Sequence, residues 1–201
     1  QVINSILPAA PWWKNRIMYS AFQKHDVETA PEKSKPLLRQ LLEHSGPNGF
    51  YAVTADSPET LTAYAALHKA FMASSFTNEE KTVVWQSINV ENQCHFCVPA
   101  HTYMAKAMKI DKAISNALRD EKALPTARLE ALRDFTLLLL RNHGHASDSE
   151  ISKFLSAGFT HRNILEVVLG LAQKTISNYV NHLARTPIDK QYEHYAWKKS
   201  G

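Results

Sequence analysis

The stretch ENQCHFCVPAHT, residues 91 to 102, holds both cysteines of a 201-residue chain, Cys94 and Cys97, with His101 one helical turn beyond the second. Two thiols at this spacing can close a small disulfide. At the start of a helix, unsatisfied backbone N–H groups and the macrodipole favour the thiolate on which such chemistry depends. If residues 94 to 101 are helical, Cys94, Cys97 and His101 share one face, within an arc of roughly 60°. His101 is then placed to exchange a proton with a thiol, directly or through a water. Asn92 is a candidate N-cap, and Pro99 removes no hydrogen bond only within a first turn, so the helix is expected to begin at about residues 92 to 96. Zinc also takes Cys and His, but a structural site needs four ligands and this segment offers three, His95 pointing away from Cys94. Two inert buried thiols are the third reading. The spacing favours redox chemistry, with zinc and inert thiols still open.

The elements that must position these residues read as helices. Ser57-Pro58-Glu59 supplies an N-cap followed by proline at the first helical position, and TNEE, Thr77 to Glu80, is a capping box that opens a helix expected over about 78 to 91. Asp111 and Thr126 cap two further segments, and SDSE, Ser147 to Glu150, is a second capping box. Thr160 starts the longest segment, in which Ile164, Leu165, Val168, Leu171, Ala172, Ile176 and Tyr179 recur at three- and four-residue steps. No comparable run alternates as a strand does, so the fold class is all-α. Residues 1–30, rich in Pro, Trp and polar side chains, read as an arm whose Trp12 and Trp13 are expected to pack on the domain or a partner, and 31–201 as a single helical domain.

Composition narrows the partners. With 44% hydrophobic and 21% charged residues the chain suits one buried globular domain. Its net charge of +4 comes from scattered basic residues, the longest run being Lys198-Lys199, so no nucleic-acid partner is expected. The apolar run Phe135 to Leu140 is far too short for a bilayer span, and the opening stretch QVINSILPAAPWWK lacks a basic n-region; a soluble cytoplasmic protein without a membrane partner is expected. Two cysteines do not make the disulfide framework of a small secreted domain.

The motif NVENQCHFCVPAHTYMAKA resembles the CxxC-and-His core of alkylhydroperoxidase AhpD-like proteins, within the carboxymuconolactone decarboxylase superfamily. APEKSKPLLRQLLEH, AVTADSPETLTAYAALHKAF, FLSAGFTHRNILEVVLGLAQKTISNYVNHLARTPID and the closing HYAW are similar to its peroxidase-related branch, so the resemblance runs from about Ala30 to Trp197. It implies a multihelical fold that assembles as homotrimers or hexamers. It also implies a two-cysteine cycle: Cys97 attacks a hydroperoxide, Cys94 resolves the sulfenic acid as a disulfide, and His101 relays protons. A dithiol or lipoyl-bearing protein would supply the reducing equivalents, with no tightly bound cofactor and no metal on this chain. A thiol-disulfide exchange protein or redox sensor using the same pair is the alternative, and a decarboxylase-type relative fits less well.

Two positions depart from the pattern. Characterised AhpD proteins carry a histidine where this chain has Phe96, and a relay glutamate where it has Thr82. Glu91 and His95 are the neighbouring candidates to stand in for them, although Glu91 can equally be an exposed helix-end residue or pair with His95. Asn178, Asn181 and His182 share a face of the last long helix and could reach the thiols, or satisfy one another and the helix end. Lys174, one turn earlier, is expected to be exposed, and His68, His143, His145 and His161 are expected at the surface or as caps.

Overall fold

A computed structural model describes residues 22–199. Trp12, Trp13 and most of the 1–30 arm lie outside the described residues; of that arm, His25 is buried, its N–H donating to the Ala52 carbonyl at 2.8 Å and its Nε2 lying 3.1 Å from Asp56. Nine helices follow in the described residues: α1 (Lys35–Ser45), α2 (Gly49–Thr54), α3 (Pro58–Met72), α4 (Asn78–Glu91), α5 (Cys97–Ala107), α6 (Lys112–Arg119), α7 (Ala127–Arg141), α8 (Asp148–Ser156) and α9 (His161–Ala184), closed by a 3₁₀ turn, Lys190–Tyr195. The starts expected from capping residues are where the sequence places them. Ser57, Thr77, Asp111, Thr126, Ser147 and Thr160 each accept a backbone N–H at the head of a helix, and Thr77 and Ser147 complete capping boxes with Glu80 and Glu150.

Helix α4 is the axis of the molecule, packed by α5, α6, α7 and α9. Every residue from Glu80 to Val90 is buried, so α4 has no solvent face on which to put its polar side chains. They must find partners inside, and these partners form the candidate site. On its other side α4 presents Val83, Val84 and Ile88 to an apolar core shared with Phe71, Leu132, Phe135 and Phe154.

Helix α9 inverts the usual arrangement. Its buried face carries Asn163, Glu166, Gln173, Lys174, Ser177, Asn178 and Asn181, while Leu165, Val168, Ala172, Tyr179 and Leu183 face outward. The periodic apolar stripe in the sequence therefore lies largely on the surface, with Leu165 71% exposed, and the polar residues between are the ones packed inside. The close approach that buries them depends on Gly170. A Cβ there would stand 2.8 Å from both the Phe71 ring and Val84. Gly170→Val is expected to destabilise the protein by about 1–3 kcal/mol, since overpacking outweighs the gain in helix propensity. A drop in urea midpoint without a change in slope is the result to look for.

Candidate functional site

The turn between α4 and α5 aims the first thiol. Helix α4 ends in a Schellman motif: Gln93 takes a left-handed conformation (φ 51°), its N–H donating to Val90 and that of Cys94 to Asn89 at 2.9 Å. Asn92 is thus the C-cap of α4 and not the N-cap of the next helix, a correction to the sequence reading. The polypeptide folds back so that Cys94 itself heads α5. Its carbonyl accepts from Val98 N–H and its Sγ from Cys97 N–H at 3.3 Å, the sulfur occupying the place of an N-cap oxygen. Helix α5 therefore starts three residues later than Cys94, and Pro99 falls in its first turn as required. Both cysteines are free thiols and both are buried, Cys97 at 3% exposure.

Helix α9 supplies the other wall. Asn181 Nδ2 donates to Cys97 Sγ at 3.3 Å, and one turn along α5 but two turns back along α9 Lys174 Nζ lies 2.8 Å from His101 Nε2. Lys174 is 1% exposed, so the expected surface lysine is in fact an interior one. Further polar links brace the pair of rungs. Asn178 bridges Asn89 and Asn92, Asn89 donates to Gln86, and Gln86 reaches the Val98 carbonyl and Thr102 on α5. Gln173, next to Lys174, accepts from Trp85 Nε1 at 2.8 Å and donates to His68 Nδ1 at 3.0 Å. His68 is consequently half-buried and stacked between Tyr64 and Trp85, whereas His143, His145 and His161 are exposed as expected.

The electrostatics of the two thiols diverge. Burial alone would raise Cys97, but the Cys94 hydrogen bond, the Lys174 charge and the Asn181 and Asn178 amides outweigh it and bring the thiol down to about 5. Cys94 is pushed up, by its hydrogen bond to Cys97 and then by burial. One thiolate beside one thiol is the division of labour that nucleophilic attack followed by disulfide closure needs. Burial, reinforced by Lys174, holds His101 well below its usual range and His68 down at about 4, so both are neutral at pH 7. Neutral His101 accepts the Lys174 proton at Nε2 and carries its own at Nδ1.

The sequence candidates separate accordingly. Cys94, Cys97 and His101 come together, His101 reaching Lys174 and packing on Trp85 at 5.0 Å between rings. Glu91 is held by both oxygens on Arg141 of α7, at 2.7 and 2.8 Å, and pairs with neither thiol nor His95. His95 Nε2 lies 2.8 Å from the Thr186 carbonyl, tying the turn to the end of α9. Thr82 bonds back to the Asn78 carbonyl, and Phe96 packs edge-on against Tyr192. Among the described residues no three His, Cys, Asp or Glu side chains converge as a metal would require. Phe50, Tyr64, Phe96 and Tyr192 surround the thiols with aromatic surface. The sequence reading missed Lys174, Gln173 and Trp85; the one signal for them was a lysine set among amides on the α9 face opposite its apolar stripe.

No family model matches the sequence, and no curated protein matches it. Solved structures do. A peroxidase-related protein from Ralstonia eutropha JMP134, described as an alkylhydroperoxidase AhpD core, superposes with a TM-score of 0.76 at 18% identity, over 86% of this chain and 93% of that one. A peroxidase-related protein from Silicibacter sp. TM1040 gives 0.72 at 20% identity, over 87% and 97%. The debrominase Bmp8, in complex with 2,3,4-tribromopyrrole, gives 0.67 at 16% identity, over 88% and 96%. The chain has the AhpD-like all-α fold, with the Cys94 and Cys97 pair buried at its centre.

Proposed function

We propose that this chain is a thiol-dependent hydroperoxide reductase of antioxidant defence. The observation that carries the reading is the asymmetry of the pair: Cys97, at the head of α5, is held as a thiolate, with Cys94 kept protonated against it. Cys97 attacks the peroxide, forming an S–O bond and breaking O–O; the alkoxide takes a proton, and the Cys94 thiol then displaces water from the sulfenic acid to give the disulfide. Asn181 Oδ1 is buried beside Cys97 with no partner among the described residues, and accepts the peroxide O–H. His101 hands on protons. The disulfide is reduced by a dithiol or lipoyl-bearing partner in the cytoplasm. The exposed stripe of Leu165, Val168, Tyr179 and Leu183 supports a homotrimer or hexamer, because an apolar face along a whole helix is a packing surface. No helix among the described residues is long and apolar enough to cross a membrane.

The debrominase neighbour and the aromatic wall around the thiols favour one second reading, reductive debromination of a halogenated aromatic by the same dithiol. Mixing reduced protein separately with cumene hydroperoxide, a glutathione-type disulfide and tribromopyrrole, and following loss of free thiols, separates the cases. Fastest oxidation by the hydroperoxide supports the reductase. Fastest reaction with the disulfide points to an exchange protein, and bromide release to a debrominase; either overturns the proposal.

A further inference from the structure

We propose that Lys174 is a working member of this site, its ammonium being both the counter-charge of the Cys97 thiolate and the store of the proton that reaches the leaving oxygen through His101. The second half rests on the hydroperoxide reading above; the first does not.

Lys174 stands in the middle of α9, almost wholly buried, and among the described residues it forms no ion pair with a carboxylate. An isolated ammonium in such a place is costly enough that it must either lose its proton or have an anion beside it. Of the groups around it, His101 on α5 and His68 on α3 are neutral and supply no counter-charge, Tyr64 on α3 is held protonated by burial, and His182 further along α9 is drawn below its usual range by burial. Burial draws Lys174 itself below the usual lysine range, and the groups that oppose this and stabilise the charge are Cys97 and, more weakly, Cys94. Helical register explains the meeting. Lys174, Asn178 and Asn181 lie at i, i+4 and i+7 on one face of α9, while Cys97 and His101 lie at i and i+4 on α5. Asn181 meets Cys97, and from two turns back on α9 the long Lys174 side chain reaches His101, one turn from the sulfur on α5.

The pairing solves a charge problem that a buried thiolate otherwise creates. Attack on a hydroperoxide converts the thiolate to a neutral sulfenic acid and expels an alkoxide. Lys174 gives its Nζ proton to His101 Nε2 as His101 gives its Nδ1 proton to the alkoxide. Thiolate, ammonium and hydroperoxide become sulfenic acid, neutral amine and alcohol, with no charge left unpaired inside. Closure with Cys94 then releases water and leaves the amine neutral. Reduction recharges both members together, so the ion pair stabilises the dithiol and makes the disulfide the stronger oxidant.

The test is the pH profile of Cys97 alkylation by iodoacetamide, resolved by mass spectrometry of the tryptic peptide, in the full chain and in Lys174→Met and Lys174→Arg. The wild type is expected to titrate well below an ordinary thiol; a midpoint near 9 would overturn the proposal whatever the variants do. Lys174→Met is expected to move the midpoint up by a unit or more, which at pH 6 about halves alkylation for one unit and cuts it about tenfold for two, with Lys174→Arg between the two. A purely structural lysine would lower stability in both variants and leave the midpoint of the folded fraction where it was. Because alkylation involves no peroxide, the two readings fail separately. A shifted midpoint in a protein that does not consume peroxide keeps the ion pair and removes the reductase; peroxide consumption with an unshifted midpoint does the reverse.

Discussion

Cys97→Ser is expected to abolish hydroperoxide reduction, by on the order of 10³-fold or more, because a serine hydroxyl beside Lys174 is not ionised and no other thiol replaces the attacking one. Cys94→Ser has a different signature. Its hydroxyl retains a hydrogen bond toward Cys97, so the first oxidation proceeds, but the sulfenic acid finds no resolving thiol and accumulates where a dimedone-type trap labels it. Turnover stops after one round in Cys94→Ser and before it in Cys97→Ser. Rapid-mixing measurements of peroxide loss distinguish the two, and a burst in Cys97→Ser with none in Cys94→Ser would reverse the roles given to the cysteines.

Trp85→Ala is expected to cost about 3–5 kcal/mol. Trp85 is 1% exposed on the central helix, its ring 4.9 Å from Phe71, 5.0 Å from His101 and 5.8 Å from His68, and it donates to Gln173. Removing the ring leaves a cavity and orphans Gln173 Oε1 at the same time. Trp85→Phe separates the two losses, keeping most of the packing and giving up the hydrogen bond, for about 1–3 kcal/mol. Urea unfolding of both variants measures this.

Helix starts were legible in the sequence because the residue that caps a helix sits within three positions of the N–H it satisfies, as at Thr77, Ser147 and Thr160. The same locality made the Cys94 and Cys97 pair and its histidine legible. What failed was anything decided across the chain. Asn92 has the chemistry of either cap, and only the packing of α4 selects a C-terminal Schellman turn there. Glu91 is drawn to Arg141, fifty residues on, in place of the nearby thiols or His95. Lys174 was expected outside because lysines are, and its burial is imposed by the inversion of α9, whose apolar stripe faces out. Among the described residues no carboxylate in this site stands in for the one absent at Thr82. The charge that acts on the thiolate is cationic and comes from the other helix.

The central claim is that Cys94 and Cys97 form one peroxide-driven dithiol centre. Its most direct test is to reduce the protein, add one equivalent of hydroperoxide, block remaining thiols and measure the peptide that contains residues 91 to 102. The account predicts a loss of two hydrogens with neither cysteine alkylated, as an internal disulfide requires. Two alkylated cysteines after the peroxide has been added, or an irreversibly oxidised Cys97 beside an alkylated Cys94, would contradict it.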